Sequence, residues 1–236
     1  MMQRIQLTEW LPDQPGITGA LTDAKNVVSQ AVGYGPFPSA TTFSQSAAED
    51  LTSLYAGKDN SGATKLFAAG ASKIYSVSGV GVLTDVSRFT GTYSQTGTTT
   101  LTVTSSGHKL KTGDIIYLDF TSGTATDGSF TITVVDVNTF TVTTTSATTS
   151  GNVTIKVSAT DYTTQSGDRV RFTQFGSQII FTNNSQRLQA WDLTSSTSFK
   201  NLSDSAPIAK FITVVRDFVV VANTNEGSQA KIDLVS

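Results

Sequence analysis

One β-hairpin unit occurs three times in this chain, and it constrains the fold more than any other feature. Thr64–Val77 reads TKLFAAGASKIYSV, Arg169–Thr182 reads RVRFTQFGSQIIFT and Lys210–Asn223 reads KFITVVRDFVVVAN. Each is an apolar run, a short turn and a second apolar run. The turns fall at Gly70-Ala71-Ser72, Gly176-Ser177 and Arg216-Asp217. Such runs, bounded by turn residues, predict antiparallel hairpins with largely buried inner strands. After the turn Asn183-Asn184-Ser185, the run Arg187–Leu193 (RLQAWDL) predicts a further strand.

The spacing of the units is informative. Ile179 and Val219 occupy matching places, roughly 40 residues apart, the period of a propeller blade. Ile74 is the matching place in the first unit, much further away. Removing about Gly91–Thr160 restores a gap of roughly 35–40 residues. The sequence therefore predicts an all-β chain: a partial or reduced propeller-like hairpin array with a small β-barrel or sandwich inserted in one loop, where insertions are tolerated. The boundaries read as 1–60 for an N-terminal extended arm, 61–90 and 161–236 for the frame, and 91–160 for the insertion. Three blades would form an open fan. Such a chain is a shortened propeller, one closed by another chain, or a reduced relative.

The insertion alternates in five places: Thr98–Thr104, Ile115–Phe120, Gly128–Val135, Thr139–Thr144 and Asn152–Val157. Gly113-Asp114, Asp127-Gly128 and Val137-Asn138 supply the turns. The regular alternation argues against a Thr-rich linker. In the N-terminal arm, Trp10–Gly16 and Gly33–Pro38 are Pro- and Gly-rich bends. Ala20–Val32 between them reads equally as a short helical turn or an extended segment.

Composition narrows the chemistry. Charged residues are 14% of the chain and its formal net charge is −2, so no basic face for phosphates is expected. Cysteine is absent, which excludes disulfides, thiolate nucleophiles and zinc–sulfur sites. His108 is the single histidine, which excludes a histidine cluster within one chain. The first ten residues carry no signal-peptide apolar region, and no apolar run is long enough to span a bilayer.

Sharper sites each have a plain structural reading. A glycan-cleaving pair would draw on Asp114, Asp119, Asp127 and Asp136, but three of these fall in or beside predicted turns. Asp59-Asn60-Ser61-Gly62 lacks the spacing of a calcium loop. His108 sits in a Gly-His-Lys turn without a nucleophile elbow. Gly79-Val80-Gly81 lacks the third glycine of a dinucleotide loop. Trp10, Tyr34 and Trp191 are aromatic candidates for a glycan surface, or for core and interface anchoring. No catalytic, metal or cofactor site is expected.

Three stretches carry a resemblance. They are Trp10-Leu11-Pro12-Asp13-Gln14-Pro15-Gly16 with Asn26-Val27-Val28 and Gly33-Tyr34-Gly35-Pro36-Phe37-Pro38; Arg171-Phe172-Thr173-Gln174-Phe175-Gly176; and Ala206-Pro207-Ile208-Ala209 leading into Val214–Val220. Together they resemble the β-propeller proteins of the tail nozzle of short-tailed phages, which include the packaged-DNA-stabilisation proteins. The inserted segment resembles a small β-module of phage structural proteins. The resemblance implies a virion protein of the tail, assembled in the host cytoplasm. It implies a homo-oligomeric ring, commonly a hexamer, below the portal and adaptor, that retains the genome and conducts double-stranded DNA. On that reading Lys25, Lys58, Arg169 and Arg171 are candidate DNA-facing cations, and Trp10, Tyr34, Phe37 and Trp191 candidate interface anchors. The alternative is a virion-displayed receptor- or glycan-binding β-module.

Overall fold

The computed structural model describes residues 25, 27–29, 34–37, 41–157, 161–224 and 232–235. The chain separates into two units, 1–43 and 44–236. Within the first unit, β1 (Val27–Ser29) and β2 (Tyr34–Pro36) pair antiparallel, Val27 opposite Pro36. Val27–Ser29 is thus extended, and apart from Lys25 the rest of Ala20–Val32 lies outside the described residues.

The second unit is all-β, with no helix among the described residues. Its first blade is a four-stranded antiparallel meander of β3 (Ser53–Lys58), β4 (Thr64–Ala69), β5 (Ile74–Val77) and β6 (Leu83–Asp85). β3 corrects the domain reading, which left these residues in the N-terminal arm. Its sequence SLYAGK mixes apolar and polar residues, but it pairs with β4 along its full length. Asp59 Oδ1 closes the intervening turn, accepting from Ser61 N, Ser61 Oγ and Ala63 N.

The insertion follows as one five-stranded sheet: β7 (Phe89–Thr104), β8 (Ile115–Phe120), β9 (Gly128–Thr131), β10 (Thr133–Asp136) and β11 (Thr139–Lys156). Two expected strands, Thr139–Thr144 and Asn152–Val157, are one here. The Thr-rich stretch between them stays extended because β7 supplies a pairing edge beside it, with only register shifts around Ala147. β8 and β10 pair with the two ends of β11 on its other side. The sheet does not close into a barrel, since β7 pairs with β11 alone. Its inward residues, among them Phe89, Tyr93, Leu101, Val103, Leu118, Phe140 and Ile155, form a core of their own.

The second blade is β12 (Arg171–Phe175), β13 (Gln178–Thr182), β14 (Gln189–Asp192) and β15 (Lys200–Asn201); the third is β16 (Ala209–Val215), β17 (Phe218–Thr224) and β18 (Ile232–Val235). Their hairpins turn at Gly176-Ser177 and Arg216-Asp217, where the sequence places them. β13 shows why the blades stack. Ile179 and Phe181 enter the core shared with the first blade, beside Phe67, Ile74 and Trp191. Ile180, on the opposite face, enters the core shared with the third blade, beside Val219 and Val221. A strand buried on both faces cannot alternate apolar and polar residues, which explains the run QIIFT. Gly57 permits the close approach of the first two blades, since a Cβ there would overlap Ile179 Cδ1.

The third hairpin contains a strained turn. Arg216 has φ 54°, in the left-handed region where a Cβ is unfavourable. Arg216→Gly is expected to raise stability by up to about 1 kcal/mol. A urea midpoint that stays or falls would contradict this account of the turn.

Candidate functional site

The candidate surface is the outer face of the third blade. In β16 and β17 the cross-strand pairs Phe211–Ala222, Thr213–Val220 and Val215–Phe218 share one face of the hairpin. Ile212, Val214, Val219 and Val221 lie on the other face, in the core shared with the second blade. Phe211, Val215 and Phe218 remain 46%, 53% and 47% exposed. The sequence reading expected these hairpin strands to be largely buried; only one face is. The signal was present in KFITVVRDFVVVAN, whose apolar residues occupy both parities as in the doubly buried β13. The other end of the stack is similar: on the outer face of β3, Leu54 is 72% exposed.

An ionic clamp supports this face. Arg171 Nη1 donates to Asp168 Oδ1 (2.6 Å) and to the Lys210 carbonyl (3.2 Å), and its guanidinium covers Phe211 at 4.8 Å. Lys210 Nζ lies 3.5 Å from Asp168 Oδ2. Burial pushes the Asp168 carboxyl up. Hydrogen bonds from Arg171 and the Arg169 N–H, with the charges of Arg171 and Lys210, outweigh it and hold the group below the usual range. Asp85 behaves alike: burial raises it, while Lys73 and the Ser87 N–H and hydroxyl lower it further. Each depressed carboxyl stabilises the fold fully above its unfolded value, near pH 4, and loses that contribution as pH falls through the folded value. The melting temperature should therefore hold between about pH 5 and 7 as far as these groups act, and fall below about pH 4. Asp168→Asn should flatten part of that fall in thermal melts. An unchanged slope would remove Asp168 from the account.

The other expected site residues take varied places. Trp10 lies outside the described residues, Tyr34 contributes its backbone to β2, and Phe37 is exposed. Trp191 requires a correction, because it is 2% exposed and unavailable to a partner chain. Its ring packs edge-on against Phe67 and lies against Phe199, with Lys65 Nζ 4.5 Å above it, so it anchors blade to blade within the chain. Lys25, Lys58 and Arg169 are exposed. Arg171 is committed to the clamp.

The carboxylates of the insertion are engaged separately. Asp114 accepts from Arg187 Nη1 on both oxygens (2.7 Å each), joining the insertion to the second blade. Asp119 pairs with Lys156 at 2.7 Å. Asp127 accepts the Phe120 N–H and Asp136 the Asn138 N–H, each at 2.7 Å. His108 is buried against Phe140. Its Nδ1 accepts the Leu110 N–H and its Nε2 meets the Asp136 carbonyl, so both nitrogens serve the loop. Among the described residues no group of three or more His, Asp or Glu could hold a metal ion, and no helix is long and apolar enough to cross a membrane.

No family model matches the sequence, and no curated protein matches it. Among solved structures, phage phi92 endosialidase matches at TM-score 0.25 and 15% identity, over 77% of this chain and 36% of that one. The chain thus spans about a third of that structure's length. A likeness this low bears on neither the fold nor the activity of this protein.

Proposed function

We propose that this chain is a structural, self-assembling protein of a phage tail, a nozzle or connector component forming a ring below the portal and adaptor. The observation that carries the reading is the open face of the third blade. An exposed apolar sheet face continuing a stack of packed blades is a surface built to be covered. A head-to-tail contact, in which one end of the stack meets the other end in a neighbour, is heterologous and generates rings when its rotation closes. The tail assignment itself rests on the sequence resemblance, and the hexamer and the DNA-conducting lumen come with it. A low net charge suits a tube through which DNA must slide without sticking, because few phosphates are neutralised.

Negative-stain imaging of the purified chain, alone and mixed with a portal–adaptor complex, tests the proposal. Rings that seat on the adaptor are the expected result. A monomer that binds host cells and forms no ring in either condition would overturn it.

A further inference from the structure

We propose that the recess at the seam between the inserted sheet and the second blade binds a compact oxyanion carried on a hydroxylated ligand, an acidic sugar unit by class. The recess holds about 320 Å³, the small end of the range for ligand sites. One wall is the β7–β8 loop with Ser106 and Lys109; the other is the β14–β15 loop, residues 195–198, followed by Lys200.

Charge points to the ligand. Lys109 and Lys200 both line this recess, and neither has a carboxylate partner among the described residues. Burial, and then the neighbouring charge of Lys109, hold the Lys200 ammonium below its usual value. A bound anion offsets both by pairing with the two ammonium groups. Among the described residues Ser195 and Thr197 make no side-chain hydrogen bond, and both are exposed, so their hydroxyls can meet a polyhydroxylated ligand. Asp192 is the one carboxylate on the lining, and its Oδ1 is occupied by the Thr194 N–H (2.8 Å) and hydroxyl (2.6 Å).

The walls are held before any ligand arrives. Lys200 Nζ donates to the Ser106 carbonyl (2.5 Å) and Asn201 Nδ2 to the Lys109 carbonyl (3.1 Å), tying blade to loop. Gly107 N–H donates to Asn138 Oδ1, and buried His108 fixes the loop from below. Such preorganisation lowers the ordering cost of binding. A duplex backbone is recognised by rows of cations along a groove. Two lysines in one recess, on a chain of net charge −2, suit a single anionic group instead.

Calorimetric titration of the full chain with sodium glucuronate, glucose, inorganic phosphate and a short DNA duplex tests this. Glucuronate should bind, glucose should not, and phosphate should compete. Lys109→Glu and Lys109→Gly should each weaken glucuronate by about tenfold or more. The glycine variant suits the φ of 55° at this position, so it retains the loop. The proposal is overturned if no anion binds, if glucose binds equally, if neither variant changes the affinity, or if only the duplex binds. Ring formation is a separate measurement, so failure here leaves the nozzle reading intact.

Discussion

Phe67→Ala is expected to cost about 3–5 kcal/mol, the range for deleting a fully buried aromatic side chain. Phe67 is wholly inaccessible and lies where two blades meet. Its ring centroid is 5.2 Å from that of Trp191 and 5.3 Å from that of Phe199, both at edge-on angles. These three rings come from the first blade, the second blade and the loop between β14 and β15, so no single segment can collapse to fill the space. The loss should fall on the frame and spare the inserted sheet, whose core is separate. Chemical denaturation followed by circular dichroism measures it, with Leu54→Ala on the outer face as the control. That control should stay within about 0.5 kcal/mol, as exposed substitutions do. Equal losses for the two variants would mean that the first blade does not pack through this face.

The double variant Val215→Glu/Phe218→Glu should have the opposite profile. Both side chains are about half exposed, so the isolated fold should change by no more than about 0.5 kcal/mol per site. Self-association should weaken by at least about a hundredfold. Covering the face in an assembly would bury two unpaired carboxylates, at a cost of several kcal/mol, and each 1.4 kcal/mol is a factor of ten. Sedimentation velocity across a concentration series separates the two effects. Assemblies that survive the double variant would place the contact elsewhere on the molecule.

The two variants also mark how far the sequence could be read. The three hairpins were legible because their turns are signalled locally, by Gly70, Gly176 and Arg216-Asp217, and their strands by apolar runs. β14 was legible for the same reason, since Gln189–Asp192 falls inside RLQAWDL. β3 was not. Its residues are fixed by pairing with β4 and by Tyr55 packing on Phe172 of the second blade, a partner distant in sequence. The joining of two expected strands into β11 has the same origin: threonines read as a break until β7 lies beside them.

Side-chain roles divide along the same line. The turn character of Asp136 and Asp59 is encoded within a few residues, and each carboxylate accepts the N–H two residues on; Asp127 instead reaches back across a loop to the Phe120 N–H. Long-range partnerships are not encoded locally. Arg171 resembles any surface cation until Asp168, Lys210 and Phe211 surround it, and Trp191 resembles an interface anchor until Phe67 and Phe199 enclose it.

By itself, then, the repeated hairpin determined that the chain is all-β and built from antiparallel hairpins, because turn chemistry and apolar periodicity act over a few residues. Which faces of those hairpins are covered was decided only by the tertiary structure. β13 and β17 carry nearly the same apolar pattern, yet the second blade has a neighbour on each side and the outer face of the third remains exposed. Burial depends on what lies about 10 Å away across a sheet, and a strand's own residues do not specify that.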